Sequence, residues 1–215
     1  MIKISPSIIA ANLLEIEKEV KLVDHFGADY IHIDIMDGHY VPNITYGPNI
    51  VRALRKITNK VLDVHLMISP VLNYVEEFIK SGADIISFHP EADNNHKQIF
   101  DMISKSNCKP GIAIHPDVSI ESIKHLLPKV KFVILMTVVP GFSGQKFLES
   151  HLSKINELFL IRKKNNYKYE IEVDGGVNDS TAKKCIMNGA DVLVAGSYIF
   201  SKSSSQYKNL INSLR

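Results

Sequence analysis

Gly27-Ala28-Asp29-Tyr30-Ile31-His32-Ile33-Asp34-Ile35-Met36 holds the two signals that decide the fold. The first is Gly-Ala-Asp, which closes a helix-like stretch. Residues 13–26 put Leu13, Ile16, Val20 and Val23 on one helical face. A glycine just beyond suits the left-handed position that ends a helix. The second is strict alternation. Ile31, Ile33 and Ile35 share one face of a strand, and His32, Asp34 and Met36 share the other.

Working outward, Gly-Ala-Asp recurs at Gly82-Ala83-Asp84 and Gly189-Ala190-Asp191. The spacings are close to two and four times a unit of roughly 27 residues, the scale of a strand-helix repeat. Residues 71–81 repeat the helical face with Val71, Val75, Phe78 and Ile79. Strand-like runs lie at 2–8, 30–36, 61–67, 85–89, 111–115, 132–138, 169–174 and 192–196. Further helix-like stretches lie near 47–57, 96–106, 119–126, 148–164, 179–187 and 205–214. Eight strands alternating with eight helices mean a parallel sheet, and at this length a closed (β/α)8 TIM barrel. Residues 1–215 are expected to form one such α/β domain. No Gly-x-Gly-x-x-Gly follows the first strand, so an open dinucleotide-binding sheet has little support.

In a barrel, the isoleucines of 30–36 face the helices and the polar set faces inward. The third strand repeats this, with Leu62, Val64 and Leu66 outward and Asp63, His65 and Met67 inward. In the seventh, Ile171 and Val173 point out while Glu170, Glu172 and Asp174 point in. One buried histidine alone would read as a satisfied core residue. Several converging near the carboxyl ends of strands would be expensive to bury unless something coordinates them. His32, Asp34, His65 and Asp174 form an N2O2 set suited to one divalent ion, Fe2+, Zn2+, Mn2+ or Co2+. Asp63 and Glu172 lie one layer deeper and read as support.

Glycine-rich loops follow strands six, seven and eight: Val139-Pro140-Gly141-Phe142-Ser143-Gly144-Gln145, Asp174-Gly175-Gly176 and Ala195-Gly196-Ser197. Backbone N–H groups and a helix start at these places commonly cradle phosphate. No Walker Lys-Ser/Thr is present, so a sugar phosphate fits better than a nucleoside triphosphate.

Composition narrows the function further. The 215 residues are 45% hydrophobic and 22% charged, with a formal net charge of +2. That supports a sizeable core, and the scattered lysines leave no basic stripe for nucleic acid. The purest apolar run, Phe132 to Met136, is far short of the roughly 20 residues that span a bilayer. No signal-peptide pattern opens the chain. Cys108 and Cys185 lack metal-ligand spacing. A reduced, cytoplasmic protein without membrane or nucleic-acid partners is expected.

Longer motifs add to this reading. They are Ser5-Pro6-Ser7-Ile8, His32 through Asn43, Asp63-Val64-His65-Leu66-Met67, Met136 through Phe147, Val173-Asp174-Gly175-Gly176-Val177 and Val194-Ala195-Gly196-Ser197. With these in order, the chain resembles the ribulose-phosphate 3-epimerase family over essentially its whole length. The resemblance implies an isomerase that interconverts D-ribulose 5-phosphate and D-xylulose 5-phosphate in the pentose phosphate pathway. It matches the family's metal ligands onto His32, Asp34, His65 and Asp174, and its acid/base pair onto Asp34 and Asp174. It matches sugar contacts onto Ser7 and His65, and a methionine cover onto Met36, Met67 and Met136. Phosphate positions match Gly141, Phe142, Ser143, Gly144, Gly175, Gly176, Gly196 and Ser197. Ala10, Val139, Ser143 and His115 depart from the family's usual residues, none of them at a ligand or acid/base position.

Other readings share parts of this pattern. A 3-epimerase of a hexulose 6-phosphate would carry every motif above, as would a barrel that binds a sugar phosphate without turning it over. A decarboxylase of the orotidine-monophosphate group would carry Asp-x-Lys-x-x-Asp on the third strand, and Asp63 to Ile68 has neither the lysine nor the second aspartate. Lys131 lies at the wrong end of its strand for a Schiff base. Apolar residues on the helix exteriors lead us to expect a homo-oligomer.

Overall fold

A computed structural model describes residues 1–215. Eight parallel strands run in the spatial order β1-β8-β7-β6-β5-β4-β3-β2. They are β1 (Lys3–Pro6), β2 (Tyr30–Met36), β3 (Val61–Met67), β4 (Ile85–Phe88), β5 (Lys109–Ile114), β6 (Phe132–Met136), β7 (Glu170–Asp174) and β8 (Val192–Ala195). The helices between them are α1 (Ile16–His25), α2 (Pro48–Arg55), α3 (Val75–Lys80), α4 (His96–Ser104), α5 (Ile120–Ile123), α6 (Leu152–Asn165) and α7 (Asp179–Met187), with α8 (Ser197–Phe200) and α9 (Tyr207–Ser213) after β8. Every expected strand and helix is present, most of them trimmed at the ends. The helix expected over 119–126 shortens to Ile120–Ile123, followed by a 3-10 turn at Leu127–Lys129. Short α8 lies outside the expected set.

The alternation of β2 and β3 does what it implies. Ile31, Ile33, Ile35, Leu62, Val64 and Leu66 are all buried in one core with Val20, Val23, Val51 and Leu54 of the helices. Tyr30, Ile85, Ala113, Phe132, Ile134 and Val192 form a separate cluster inside the barrel. Each outward isoleucine or leucine contributes about 1.5–3 kcal/mol by leaving water. A one-residue slip of β2 would bring His32 and Asp34 to the helix layer instead, so the register is fixed.

The barrel closes unevenly. β1 pairs with β8 over four register positions, but meets β2 through one bridge, Ser7 to His32. At the base of this seam, the Asp29 N–H donates to Ile4 O at 2.9 Å and the Ile4 N–H donates to Asp29 Oδ2 at 2.8 Å. All three Gly-Ala-Asp repeats build this clamp. Asp84 holds Leu62 and Asp191 holds Ile171 by the same pair of bonds. Each aspartate also pairs with an arginine: Arg215 with Asp29, Arg55 with Asp84, and Arg162 with Asp191. Gly27, Gly82 and Gly189 have φ of +96°, +98° and +105°, the turn that sends each helix into its clamp. The fourth strand pair, β5–β6, keeps the backbone bond from Lys131 N–H to Pro110 O at 2.8 Å. It has no aspartate there, and proline offers no N–H for one to accept. Cys108 and Cys185 are buried free thiols, and no helix is long and apolar enough to cross a membrane.

Candidate active site

The polar residues on the inner faces meet at the carboxyl ends of β2, β3 and β7. Asp34 Oδ1 lies 3.3 Å from His32 Nε2 and 3.4 Å from His65 Nδ1. Asp174 Oδ2 lies 3.7 Å from each of the same two nitrogens. His32 and His65 are fully buried, and neither His32 Nε2 nor His65 Nδ1 has a hydrogen-bond partner. An unpaired buried polar group costs about 1–3 kcal/mol, so two aimed at one point call for a shared partner. One donor atom from each of the four residues lies within 4.8 Å of the others. Two imidazole nitrogens and two carboxylate oxygens at that separation fit a divalent cation.

Neighbouring groups orient this set. Ser7 Oγ donates to Asp34 Oδ2 at 2.5 Å, leaving Oδ1 toward the cluster. Thr45 Oγ1 donates to Asp34 O at 2.7 Å and accepts from the Met36 N–H at 3.0 Å. Buried Thr137 donates to Asp174 O at 3.0 Å and Gly175 O at 2.6 Å, pinning the end of β7. Below, His32 Nδ1 lies 2.7 Å from Asp63 Oδ2 and 3.1 Å from Glu172 Oε1. A neutral His32 therefore carries its proton on Nδ1, donates it to Asp63, and keeps the Nε2 lone pair toward the cluster.

Crowded carboxylates shift one another's titration. Burial pulls the His32 imidazole down, but the Asp34 and Asp63 charges hold it well above its ordinary range. Burial pushes Asp34 up, but His32 and His65 hold it well below the usual carboxylate range. Asp174 is pushed up to about 6 by burial, with Asp34 adding to that and His32 and His65 opposing it. Burial and the Asp63 charge keep Glu172 well above its ordinary value. A cation bound to this set would compete with protons for the same carboxylates and displace them.

Above the cluster opens a small cavity of about 60 Å3. Ser7, Asp34, Met36, Met67, Met136 and Asp174 line its floor, and Gly141, Phe142, Ser143, Gly144, Gly175, Gly176, Gly196 and Ser197 line its mouth. The cavity wall thus includes all the sequence-identified residues except the two histidines, which stand behind it and join the cluster through Asp34 and Asp174. His65 is fully buried and does not reach the cavity, although the resemblance gives it a sugar contact. The methionines serve two ends. Met136 belongs to the cluster inside the barrel, and Met36 and Met67 pack with Val41, yet all three face the cavity.

At the mouth, Gly176 has φ +67°, and a Cβ there would sit 2.5 Å from Phe147 N, so backbone meets backbone. Ser143 is not at positive φ, because Asn166 is the one non-glycine residue that is. The loop that carries it is tied in place. Asn43 Nδ2 donates to Gly141 O at 2.7 Å, and Gln145 Nε2 donates to Val139 O at 2.6 Å and Phe142 O at 2.8 Å.

Sequence reasoning missed His89, Thr137, Thr45 and Asn43. For His89 the signal was available. Ile86 and Phe88 are buried in the outer core, so Ser87 and His89 fall on the inner face by the alternation used for β2. Burial, reinforced by His65 and opposed by Glu91, lowers the His89 imidazole to about 4, so it is neutral near pH 7.

An eight-stranded parallel barrel with a His/Asp cluster and glycine loops at the carboxyl ends of its strands defines the class: a (β/α)8 enzyme with its site at that face. A sequence model of the ribulose-phosphate 3 epimerase family matches residues 3–200. The chain is 45% identical over 216 residues to a ribulose-phosphate 3-epimerase of Bacillus subtilis (strain 168), covering 100% of this chain and 99% of that one. It is 44% identical over 200 residues to the chloroplastic ribulose-5-phosphate-3-epimerase of Arabidopsis thaliana, covering 92% of this chain and 71% of that one. The chain belongs to the ribulose-phosphate 3-epimerase family and is an isomerase. Among solved structures, KGPDC from Streptococcus mutans superposes with a TM-score of 0.72 at 15% identity, covering 100% of this chain and 95% of that one. At that identity the likeness shows the barrel alone.

Proposed function

We propose that the chain epimerises carbon 3 of D-ribulose 5-phosphate to give D-xylulose 5-phosphate, reversibly, with Asp34 and Asp174 as the acid/base pair. The observation that carries this is the pairing of those two carboxylates, from β2 and β7, on the wall of one cavity, in surroundings that push their titration apart. Opposed pKa shifts are what an acid and a base working side by side require.

The substrate hydrogen on carbon 3 is acidified by the neighbouring ketone. Asp34 and Asp174 flank that carbon: one carboxylate removes the hydrogen from one face, and the other, once it carries a proton, returns a different one to the other face; in the reverse direction the two exchange roles. His32, Asp34, His65 and Asp174 would hold one divalent ion per subunit, which when bound supplies Lewis-acid stabilisation of the charge that builds on the substrate oxygens. Ser7 keeps Asp34 oriented. Met36, Met67 and Met136 keep water from the reacting carbon. Gly141 to Gly144, Gly175, Gly176, Gly196 and Ser197 hold the phosphate by backbone N–H groups. The names of the relatives support the choice of a five-carbon substrate. The same reading takes the chain to be a cytoplasmic homo-oligomer, with exposed Leu13 and Leu14 available for contact.

A single turnover of ribulose 5-phosphate in D2O tests this. The product should carry solvent deuterium at carbon 3, with little return of the substrate's own hydrogen. Chelation should abolish turnover without unfolding the barrel, and Fe2+, Zn2+, Mn2+ or Co2+ should restore it. Substrate hydrogen retained in most of the product, or full activity in protein free of metal by elemental analysis, would refute the proposal.

A further inference from the structure

The proposed reaction leaves one buried group of the site without a task. His89 follows β4, is fully buried, and places Nε2 3.0 Å from His65 Nε2. Two imidazole nitrogens at that distance share one hydrogen, so one ring donates and the other accepts. We propose that His89, backed by Glu91 and Tyr40, is a positioning residue that fixes which nitrogen of His65 carries the proton, and so keeps His65 Nδ1 open toward the cation cluster. This rests on the reading of that cluster as a metal site.

The neighbours decide the direction of the bond. If His65 donates from Nε2, its Nδ1 is a bare lone pair facing Asp34 Oδ1 at 3.4 Å and Asp174 Oδ2 at 3.7 Å, ready for a cation. His89 then accepts at Nε2 and carries its own proton on Nδ1. That nitrogen has no hydrogen-bond partner, but Glu91 Oε1 lies 3.7 Å away, and its negative charge favours a proton there over a lone pair. The opposite assignment puts the His65 proton on Nδ1, inside the cluster, and turns the His89 Nδ1 lone pair toward the Glu91 charge. Glu91 is held in place by Tyr40, whose hydroxyl donates to Oε1 at 2.8 Å. The Tyr40 ring stacks on His89 with centroids 4.5 Å apart. His32 gets the same service from carboxylates in direct contact, Asp63 foremost. His65 gets it through an intervening ring, from a carboxylate at the exposed rim of the barrel.

Titration of metal-free protein with Co2+ against a competing chelator tests this, with the dissociation constant and the Co2+ absorption spectrum as readouts. His89→Phe removes the acceptor and should weaken Co2+ binding by about 10- to 100-fold. His89→Gln can accept from His65 Nε2–H through its side-chain oxygen, and should bind within about threefold of the parent. Glu91→Gln, a change at an exposed site that should leave folding intact, should weaken binding by roughly three- to tenfold. The control is His65→Ala. If that variant binds Co2+ as tightly as the parent, the cluster is not the metal site and the functional reading falls with it. If it weakens while His89→Phe and His89→Gln bind alike, or while Glu91→Gln is unchanged, the positioning role is overturned and the metal site stands.

Discussion

Aspartates do opposite things at the two ends of this barrel. At the base, Asp29, Asp84 and Asp191 each accept a strand N–H and pair with an arginine, so the charge is matched where it is made. At the top, Asp34 and Asp174 crowd two histidines whose facing nitrogens have no partner. The base uses carboxylates to hold strands in register. The top crowds them into a set that could take a cation, where the histidine and aspartate charges partly offset the cost of burying one another. A substitution at one end should therefore be read by its effect on stability, and at the other by its effect on chemistry.

Asp174→Asn makes the largest test of that division. Loss of one acid/base partner should lower kcat by about a thousandfold or more in protein shown to hold metal. The metal-free variant should be more stable than the metal-free parent near pH 7, by thermal melting. The sign follows from the raised Asp174 carboxyl: its stabilising contribution is present below the unfolded value near 4 and is lost as pH rises through about 6. The advantage of asparagine should thus appear above pH 6 and fade by pH 4. Near-parental turnover in the metal-loaded variant would break the comparison at its upper end.

Asp191→Ala tests the lower end. It leaves the Ile171 N–H without its acceptor and Arg162 without its carboxylate, holding only the Tyr169 carbonyl. The expected loss is about 1–3 kcal/mol, a fall in Tm of roughly 3–10 °C, with kcat/KM of the folded protein within about twofold of the parent. A loss of kcat/KM that exceeds the loss of stability would show the two ends to be coupled.

Ser143→Gly should do least. The position is not at positive φ, so glycine relieves no strain, and the loop is held by Asn43 and Gln145 rather than by Ser143. A change in kcat/KM below about threefold is expected. A tenfold loss, about 1.4 kcal/mol, would mean that the hydroxyl itself meets the substrate.

Much of this was legible in the sequence because alternation and spacing are local signals. β2 and β3 begin and end where the pattern puts them, at Tyr30–Met36 and Val61–Met67, and α7 is Asp179–Met187 as expected. The His/Asp cluster follows from the same alternation. What stayed hidden depends on contacts between distant segments. Thr137 and Thr45 act through carbonyls of other strands and loops, which no periodicity reveals. α8 has four residues, too few for a helical face to show, so the sequence marks Gly196-Ser197 only as a phosphate-cradling loop.

Pro110 turns the base of the barrel into a matter of grammar. The second residue of β1, β3, β5 and β7 and the residue before the next strand agree like subject and verb. Where the first is Ile4, Leu62 or Ile171, with an N–H to give, the second is aspartate; where it is Pro110, the second is Lys131. Counted as a tripeptide, the repeat occurs three times. Counted as a rule linking two positions, it is observed in all four strand pairs, and the apparent exception obeys it. A search for such conditional pairs, rather than for shared letters, registers the fourth strand pair of this barrel that the tripeptide alone leaves out.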